Sequence, residues 1–130
     1  MNDRVFHLFV DGPAPVAPYS HAVTVDGWIF LTGQLPTGGD DDPVAESIEE
    51  QTVTVMENLK SVLAGCGAAL DHVVSLRIFL TRFEADYEIV NRIYAGYFPP
   101  DRRPARTTMG VNALARGCFI EIDLIARLPA

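Results

Sequence analysis

Apolar residues recur every second position along several short stretches of this chain and every third or fourth position along two longer ones. Val5 to Val10 reads as a first strand running into the turn Gly12-Pro13-Ala14-Pro15. His21 to Val25 and Trp28 to Thr32 are β-rich runs joined by Asp26-Gly27, a dipeptide that predicts a tight hairpin. Thr32-Gly33-Gln34 closes the second of them, and Gly33 can bring the backbone close to a ligand. A helix is expected from Asp42-Pro43, with Asp42 as N-cap, Pro43 at the first helical position, and an apolar stripe of Ile48, Thr52, Val55, Met56, Leu59, Val62 and Leu63. Gly65 and Gly67 are expected to end it. Val73 to Leu80 reads as a strand interrupted by Arg77, and Thr81-Arg82-Phe83-Glu84 has the form of a capping box for a second helix. That helix carries Phe83, Tyr87, Val90, Tyr94 and Phe98 and is expected to stop at Pro99-Pro100. An extended segment around Arg106 and a strand from Phe119 to Ala126 complete the order β-β-β-α-β-α-β-β.

This order predicts an α+β domain with two helices on one face of a mixed sheet. No third helix is left for the other face. Ile120, Ile122, Leu124 and Ala126, with the apolar positions of the first hairpin, are expected to need cover there, which points to sheets packing between copies of the chain.

At 130 residues the chain is expected to form a single domain over 1–130 with one core. Hydrophobic residues make up 48% and charged residues 21%, which places it among globular rather than disordered sequences. The longest apolar runs are strand-sized, so no membrane span is predicted, and Met1 to His7 lacks a signal-peptide layout, so a cytoplasmic location is expected. The formal net charge of −7, without a basic stripe, argues against nucleic acid as a partner. Cys66 and Cys118 do not make a disulfide framework, and with only His7, His21 and His72 beside them no metal site is expected.

Two elements carry candidate chemistry. Pro104-Ala105-Arg106-Thr107-Thr108 presents a guanidinium at the start of an extended segment, and Glu121 and Asp123 alternate on one face of the last strand, about 6.6 Å apart along it. A guanidinium binds a carboxylate in two-pronged fashion, and a carboxyl group can steer or deprotonate water. The pair suggests a site where a small anionic substrate reacts with water; the competing assignment is a structural ion pair. Chemistry alone does not choose between Glu121 and Asp123.

These residues resemble the RidA/YjgF reactive-intermediate deaminases. Ala17-Pro18-Tyr19-Ser20 is similar to that family's early Pro-Tyr segment, and Leu31-Thr32-Gly33-Gln34-Leu35-Pro36 to its Ser/Thr-Gly-Gln turn. Val90-Asn91-Arg92-Ile93-Tyr94-Ala95-Gly96-Tyr97-Phe98 resembles its second-helix Asn…Tyr…Phe pattern, and Pro104-Ala105-Arg106 with Ile120-Glu121-Ile122-Asp123 its C-terminal signature. The match runs from about Pro15 to Leu128. It implies a chorismate-mutase-like subunit, a homotrimer with clefts between subunits, and cofactor-free hydrolysis of small 2-imino acids or their enamine tautomers to 2-keto acids and ammonia.

The resemblance also implies roles. Arg106 holds the substrate carboxylate, and Glu121, rather than Asp123, orients or activates the attacking water; Asp123 is then a salt-bridged group. Thr32 and Gly33 offer hydrogen bonds to the substrate, and Tyr19 walls the cleft. Thr108 departs from the pattern, because many relatives have Cys two residues after the arginine; this bears on substrate range more than on the reaction. His21 reads as a strand residue rather than a base. Alternative readings are a pathway-specific deaminase of the same family, acting on a longer substrate of the 2-aminomuconate or aminoacrylate-derivative type, and a non-catalytic protein that binds small carboxylates through Arg106.

Overall fold

The computed structural model describes residues 3–10, 12–38 and 42–129. Its elements are β1 (Val5–His7), β2 (Ala22–Val25), β3 (Trp28–Gln34), α1 (Ile48–Gly65), β4 (Val73–Leu80), α2 (Phe83–Ala95), β5 (Ala105–Gly110) and β6 (Ile120–Arg127). They follow the expected order and build one six-stranded sheet, β1-β2-β3-β6-β4-β5. All neighbours are antiparallel except β4 and β5, which run parallel because α2 carries the chain back between them. Asp26 (φ 54°) and Gly27 (φ 82°) form the hairpin turn between β2 and β3 in the doubly left-handed form that matches the strand twist.

Both helices lie on one face. Val55, Met56, Leu59, Val62 and Leu63 of α1 and Val90 and Tyr94 of α2 meet Ile29, Leu31, Leu76, Ile78 and Leu80 in a single core. Ile120, Ile122, Leu124 and Ala126 belong to that same core and are already covered by the helices, with at most 3% of their surface exposed. The expectation that these four need cover from another copy is therefore wrong. The alternation of the strand was read correctly, but its apolar register faces inward.

The opposite face carries a different apolar row. Phe6, Val23, Phe30, Ile125 and Ser75 stand side by side across β1, β2, β3, β6 and β4. Phe6 is 61% and Phe30 46% exposed. Trp28 extends the patch along β3, where it pairs with Arg127.

The helix ends differ from those expected. Helix α1 begins at Ile48, not at Asp42-Pro43, because the Ser47 hydroxyl accepts the backbone N–H of Glu50 at 3.1 Å and caps it there. Residues 42–46 instead form a loop whose Ala45 carbonyl accepts a hydrogen bond from Gln51. At the far end Gly67 takes the left-handed conformation (φ 78°), whereas Gly65 is still helical and makes room for the Phe9 ring. Helix α2 lacks the expected capping box. Thr81 donates its N–H to the Phe119 carbonyl, extending the sheet, and Arg82 becomes the residue before the helix. The Arg82 side chain reaches Asp86 at 3.1 Å and lies flat over Phe119, 3.6 Å from the ring centroid. The helix stops at Ala95, three residues before Phe98, with Gly96 as its cap.

Strand β1 is likewise shorter than the expected Val5–Val10. After His7 the chain leaves the sheet, and the buried His21 holds it: its Nδ1 accepts the Phe9 N–H at 2.8 Å and its Nε2 donates to the Pro13 carbonyl. His21 is thus a structural clip with both ring nitrogens engaged, as the sequence reading favoured over a base.

A second clip holds the start of β6. The buried amide of Gln51 donates to the Ala45 carbonyl at 2.7 Å and accepts the Phe119 N–H at 2.8 Å. Replacing it by leucine keeps the volume and strands both backbone groups. Gln51→Leu should cost about 1–3 kcal/mol in urea denaturation; a loss below about 0.5 kcal/mol would show that the clip is not structural.

Candidate functional site

The candidate groups fall into two clusters. Arg106 stands on β5 beside Leu76 of β4, and neighbours in a parallel pair share a face, so Arg106 points to the helix side. Its Nη2 donates to the Asn91 side-chain oxygen on α2 at 2.5 Å. Its guanidinium carbon lies 4.9 Å from the Tyr94 ring centroid and 5.9 Å from that of Tyr87. Tyr87, Asn91 and Tyr94 follow one another at helical spacing on the face of α2 turned toward β5. They hold the guanidinium by ring faces and one neutral amide. No carboxylate among the described residues pairs with it, so most of its donor fork is free for a ligand.

Thr108 follows two residues later on the same side. Its hydroxyl is buried and has no hydrogen-bond partner among the described residues, and the Tyr94 hydroxyl is in the same condition. A cavity of about 270 Å³ opens here, lined by Asn91, Tyr94, Ala95, Arg103 and Arg106. Burial pushes the Tyr94 phenol above its ordinary pKa, against the opposing pull of Arg106 and then Arg103.

The second cluster lies on the open face. Glu121 of β6 pairs with Phe79 of β4, on the side away from the helices. Its carboxylate rests directly against the backbone of Gly33, where a Cβ would collide with Oε2. The pairing of β3 with β6 is irregular between Leu31 and Gln34, and this break is what brings Thr32-Gly33 over the carboxylate. The Gln34 amide donates to the Thr32 carbonyl at 3.3 Å, and the Asn58 amide donates to the Leu35 and Thr37 carbonyls at 2.9 and 3.0 Å, fixing the segment that follows. Burial raises the Glu121 pKa, and the Asp123 charge raises it further.

Asp123 itself is engaged. It accepts two hydrogen bonds from Arg77, at 3.0 Å from Nε and 2.5 Å from Nη2. The two acids of the last strand share a face, as expected, yet one is bound to a guanidinium and the other has no ion-pair partner among the described residues. Tyr19 sits outside both clusters. Its hydroxyl accepts the Val16 N–H at 3.2 Å in the loop before β2, and 38% of the residue is exposed.

Within one chain, then, the structure brings together Glu121, Thr32 and Gly33, and separately Arg106 and Thr108. It does not bring Arg106 to Glu121. They lie two strands apart, about 10 Å across the sheet and about 10 Å further along it because Arg106 shares a row with Leu124, and on opposite faces. The idea of one compact guanidinium–carboxylate pair does not hold inside a subunit. Asn91 and Arg103 were given no role by the sequence reading. Asn91 carried a signal in its spacing from Tyr87 and Tyr94, whereas Arg103 looked like part of a polar loop.

The sequence model of the family described as endoribonuclease L-PSP matches residues 9–128. The RutC family protein SSO3206 of Saccharolobus solfataricus is 39% identical over 88% of this chain and 90% of its own. The chloroplastic Reactive Intermediate Deaminase A of Arabidopsis thaliana is 42% identical over 89% of this chain and 62% of its own. The crystal structure of RidA from the Antarctic bacterium Psychrobacter sp. PAMC 21119 superposes with a TM-score of 0.88 at 28% identity, covering 95% of this chain and 99% of that one. The chain belongs to the RidA/YjgF family and has its α+β chorismate-mutase-like fold. Among the described residues no helix is long and apolar enough to cross a membrane.

The buried Glu121 carboxyl makes stability depend on pH. Its folded pKa is raised, so between the ordinary glutamate value and the raised one the folded state keeps a proton that the unfolded chain has released. Stability contributed by this group is therefore present at acid pH and lost as pH rises through that window. Glu121→Gln should raise the melting temperature at pH 7 and raise it less at pH 4. A larger gain at pH 4 would contradict the stated environment.

Proposed function

We propose that the protein hydrolyses small 2-imino acids, or their enamine tautomers, to 2-keto acids and ammonia. The observation that carries this is a guanidinium with a free donor fork, held by Asn91 and two tyrosine rings rather than by an acid. Arg106 binds the substrate carboxylate in two-pronged fashion. Glu121 supplies the acid–base function: its carboxylate takes a proton from water as the oxygen bonds to the imine carbon, and the C=N double bond becomes a C–N single bond. The carboxyl then returns the proton to the amine nitrogen. The hydroxyl proton then passes by way of the carboxylate to the same nitrogen, the C–N bond breaks as the hydroxyl oxygen becomes the keto oxygen, and ammonia departs. A carboxyl group raised above its ordinary pKa is well matched to both directions of transfer. The Thr32–Gly33 backbone gives it a fixed seat.

Because the two clusters lie on opposite faces, we infer that the complete site forms between copies of the chain, in a homotrimer. The arginine cluster of one subunit then meets the glutamate cluster of the next, and Tyr19 closes the cleft. The row of exposed Phe6, Phe30 and Ile125 with half-buried Val23 supports association through the open face. Thr108 lies two residues beyond Arg106 on the same side of β5 and shapes the pocket from behind. Ribonuclease action, which the family description names, is disfavoured by the net charge of −7 and by the pairing of Arg77, Arg82 and Arg102 with acids.

The test uses 2-iminobutanoate generated in situ by a threonine dehydratase, with semicarbazide trapping the unhydrolysed imine. Wild type should accelerate keto-acid formation. Arg106→Lys should lower kcat/KM by about tenfold to a hundredfold through loss of the two-pronged contact. Glu121→Gln should lower kcat by about 10² to 10⁴ with little change in KM. Full activity in Arg106→Ala would sink the carboxylate clamp, and full activity in Glu121→Gln would sink the acid–base assignment. The acid limb of the wild-type kcat profile should lie above the ordinary glutamate value. Sedimentation should give three chains per particle, and Phe30→Asp should dissociate it and abolish activity; an active monomer would rule out the shared site.

A further inference from the structure

Three arginines lie in or just beyond the loop that joins α2 to β5, and their partners differ. Arg102 is held by Asp71. Arg106 is held by the neutral amide of Asn91. The Arg103 side chain has no hydrogen bond or ion pair among the described residues, in a chain with 17 acidic residues. Yet Arg103 and Arg106 line the same cavity, whose other walls are Asn91, Tyr94 and Ala95. The recess is therefore lined by two arginines and by no acidic residue. Tyr94 is buried, and among the described residues its hydroxyl has no partner.

Like charges gathered in one partly closed recess repel each other, and an anion relieves the repulsion. A ligand with one carboxylate answers only one of the two cations. A ligand with two carboxylates answers both. We propose, building on the deaminase reading above, that Arg103 is a specificity-determining residue that selects 2-imino acids bearing a second carboxylate. Arg106 holds the carboxylate next to the imine carbon, and Arg103 holds the one at the end of a four- or five-carbon chain. Imines of this class arise when an acidic amino acid loses two electrons and two protons across its Cα–N bond, so an amino-acid oxidase or dehydrogenase is the class of reaction that supplies them.

The experiment compares 2-iminoglutarate with 2-iminobutanoate, each made from its amino acid by an oxidase and molecular oxygen, with catalase present and semicarbazide as the trap. Arg103→Gln should lower kcat/KM for 2-iminoglutarate about tenfold or more while changing that for 2-iminobutanoate less than twofold. Equal losses on both substrates, or no loss on either, would overturn the proposal. So would a change in assembly state of Arg103→Gln by sedimentation, because the arginine would then serve a subunit contact. Calorimetry with 2-oxoglutarate and 2-oxobutanoate separates this idea from the reading beneath it. If wild type hydrolyses no imino acid, the deaminase reading fails. Tighter 2-oxoglutarate binding that Arg103→Gln alone abolishes still upholds the second cation, and equal affinity for the two keto acids overturns it.

Discussion

In β4, β5 and β6 successive side chains point to opposite faces of the sheet, and this alternation governs where every candidate reactive group lies. Leu76, Ile78 and Leu80 must face the helices to close the core, and the parallel register of β5 then sends Arg106 and Thr108 to that same side. Ile120, Ile122 and Leu124 must face the helices as well, and the antiparallel register of β6 sends Glu121 and Asp123 to the other side. Burying the core thus separates the guanidinium from the carboxylate. A one-residue slip of either strand would reunite them only by exposing the core.

Local devices then tune each cluster. On the helix side, aromatic rings and an amide orient the Arg106 charge without neutralising it, which leaves it available to an anion. On the open side, Arg77 takes up Asp123, while the break in the β3–β6 ladder lets Gly33 come against Glu121. The same two acids, one strand turn apart, are given different work by their neighbours. Distant polar clips serve both: Gln51 holds the start of β6 and Asn58 holds the segment after β3.

Much of the plan was legible from the residues. The strand Val73–Leu80 has the expected bounds, the α1 stripe is the buried stripe, and Asp26-Gly27 makes the expected turn. Errors cluster where a side chain had two possible local partners. Ser47 and Glu50 cap α1, although Asp42-Pro43 offered an equally good local start. Thr81 joins the β6 ladder instead of capping α2, because its N–H finds the Phe119 carbonyl from a residue 38 positions away, a contact no local pattern encodes. The apolar face of β6 was recognised but assigned to the wrong side, since alternation identifies which residues share a face and not what covers that face.

Sequence by itself determined the element order, the two helical stripes and the alternation that puts Glu121 and Asp123 on one face, because each depends on short-range periodicity or turn chemistry; Arg106 and Gly33 were marked out by their resemblance to a family's motifs. Only the tertiary structure decided that Arg106 and Glu121 occupy opposite faces, that Asp123 is taken by Arg77, and that Arg103 shares the Arg106 cavity. Those outcomes depend on strand order and register between segments distant in the chain. They are set by the requirement to bury one continuous core, which no single segment contains.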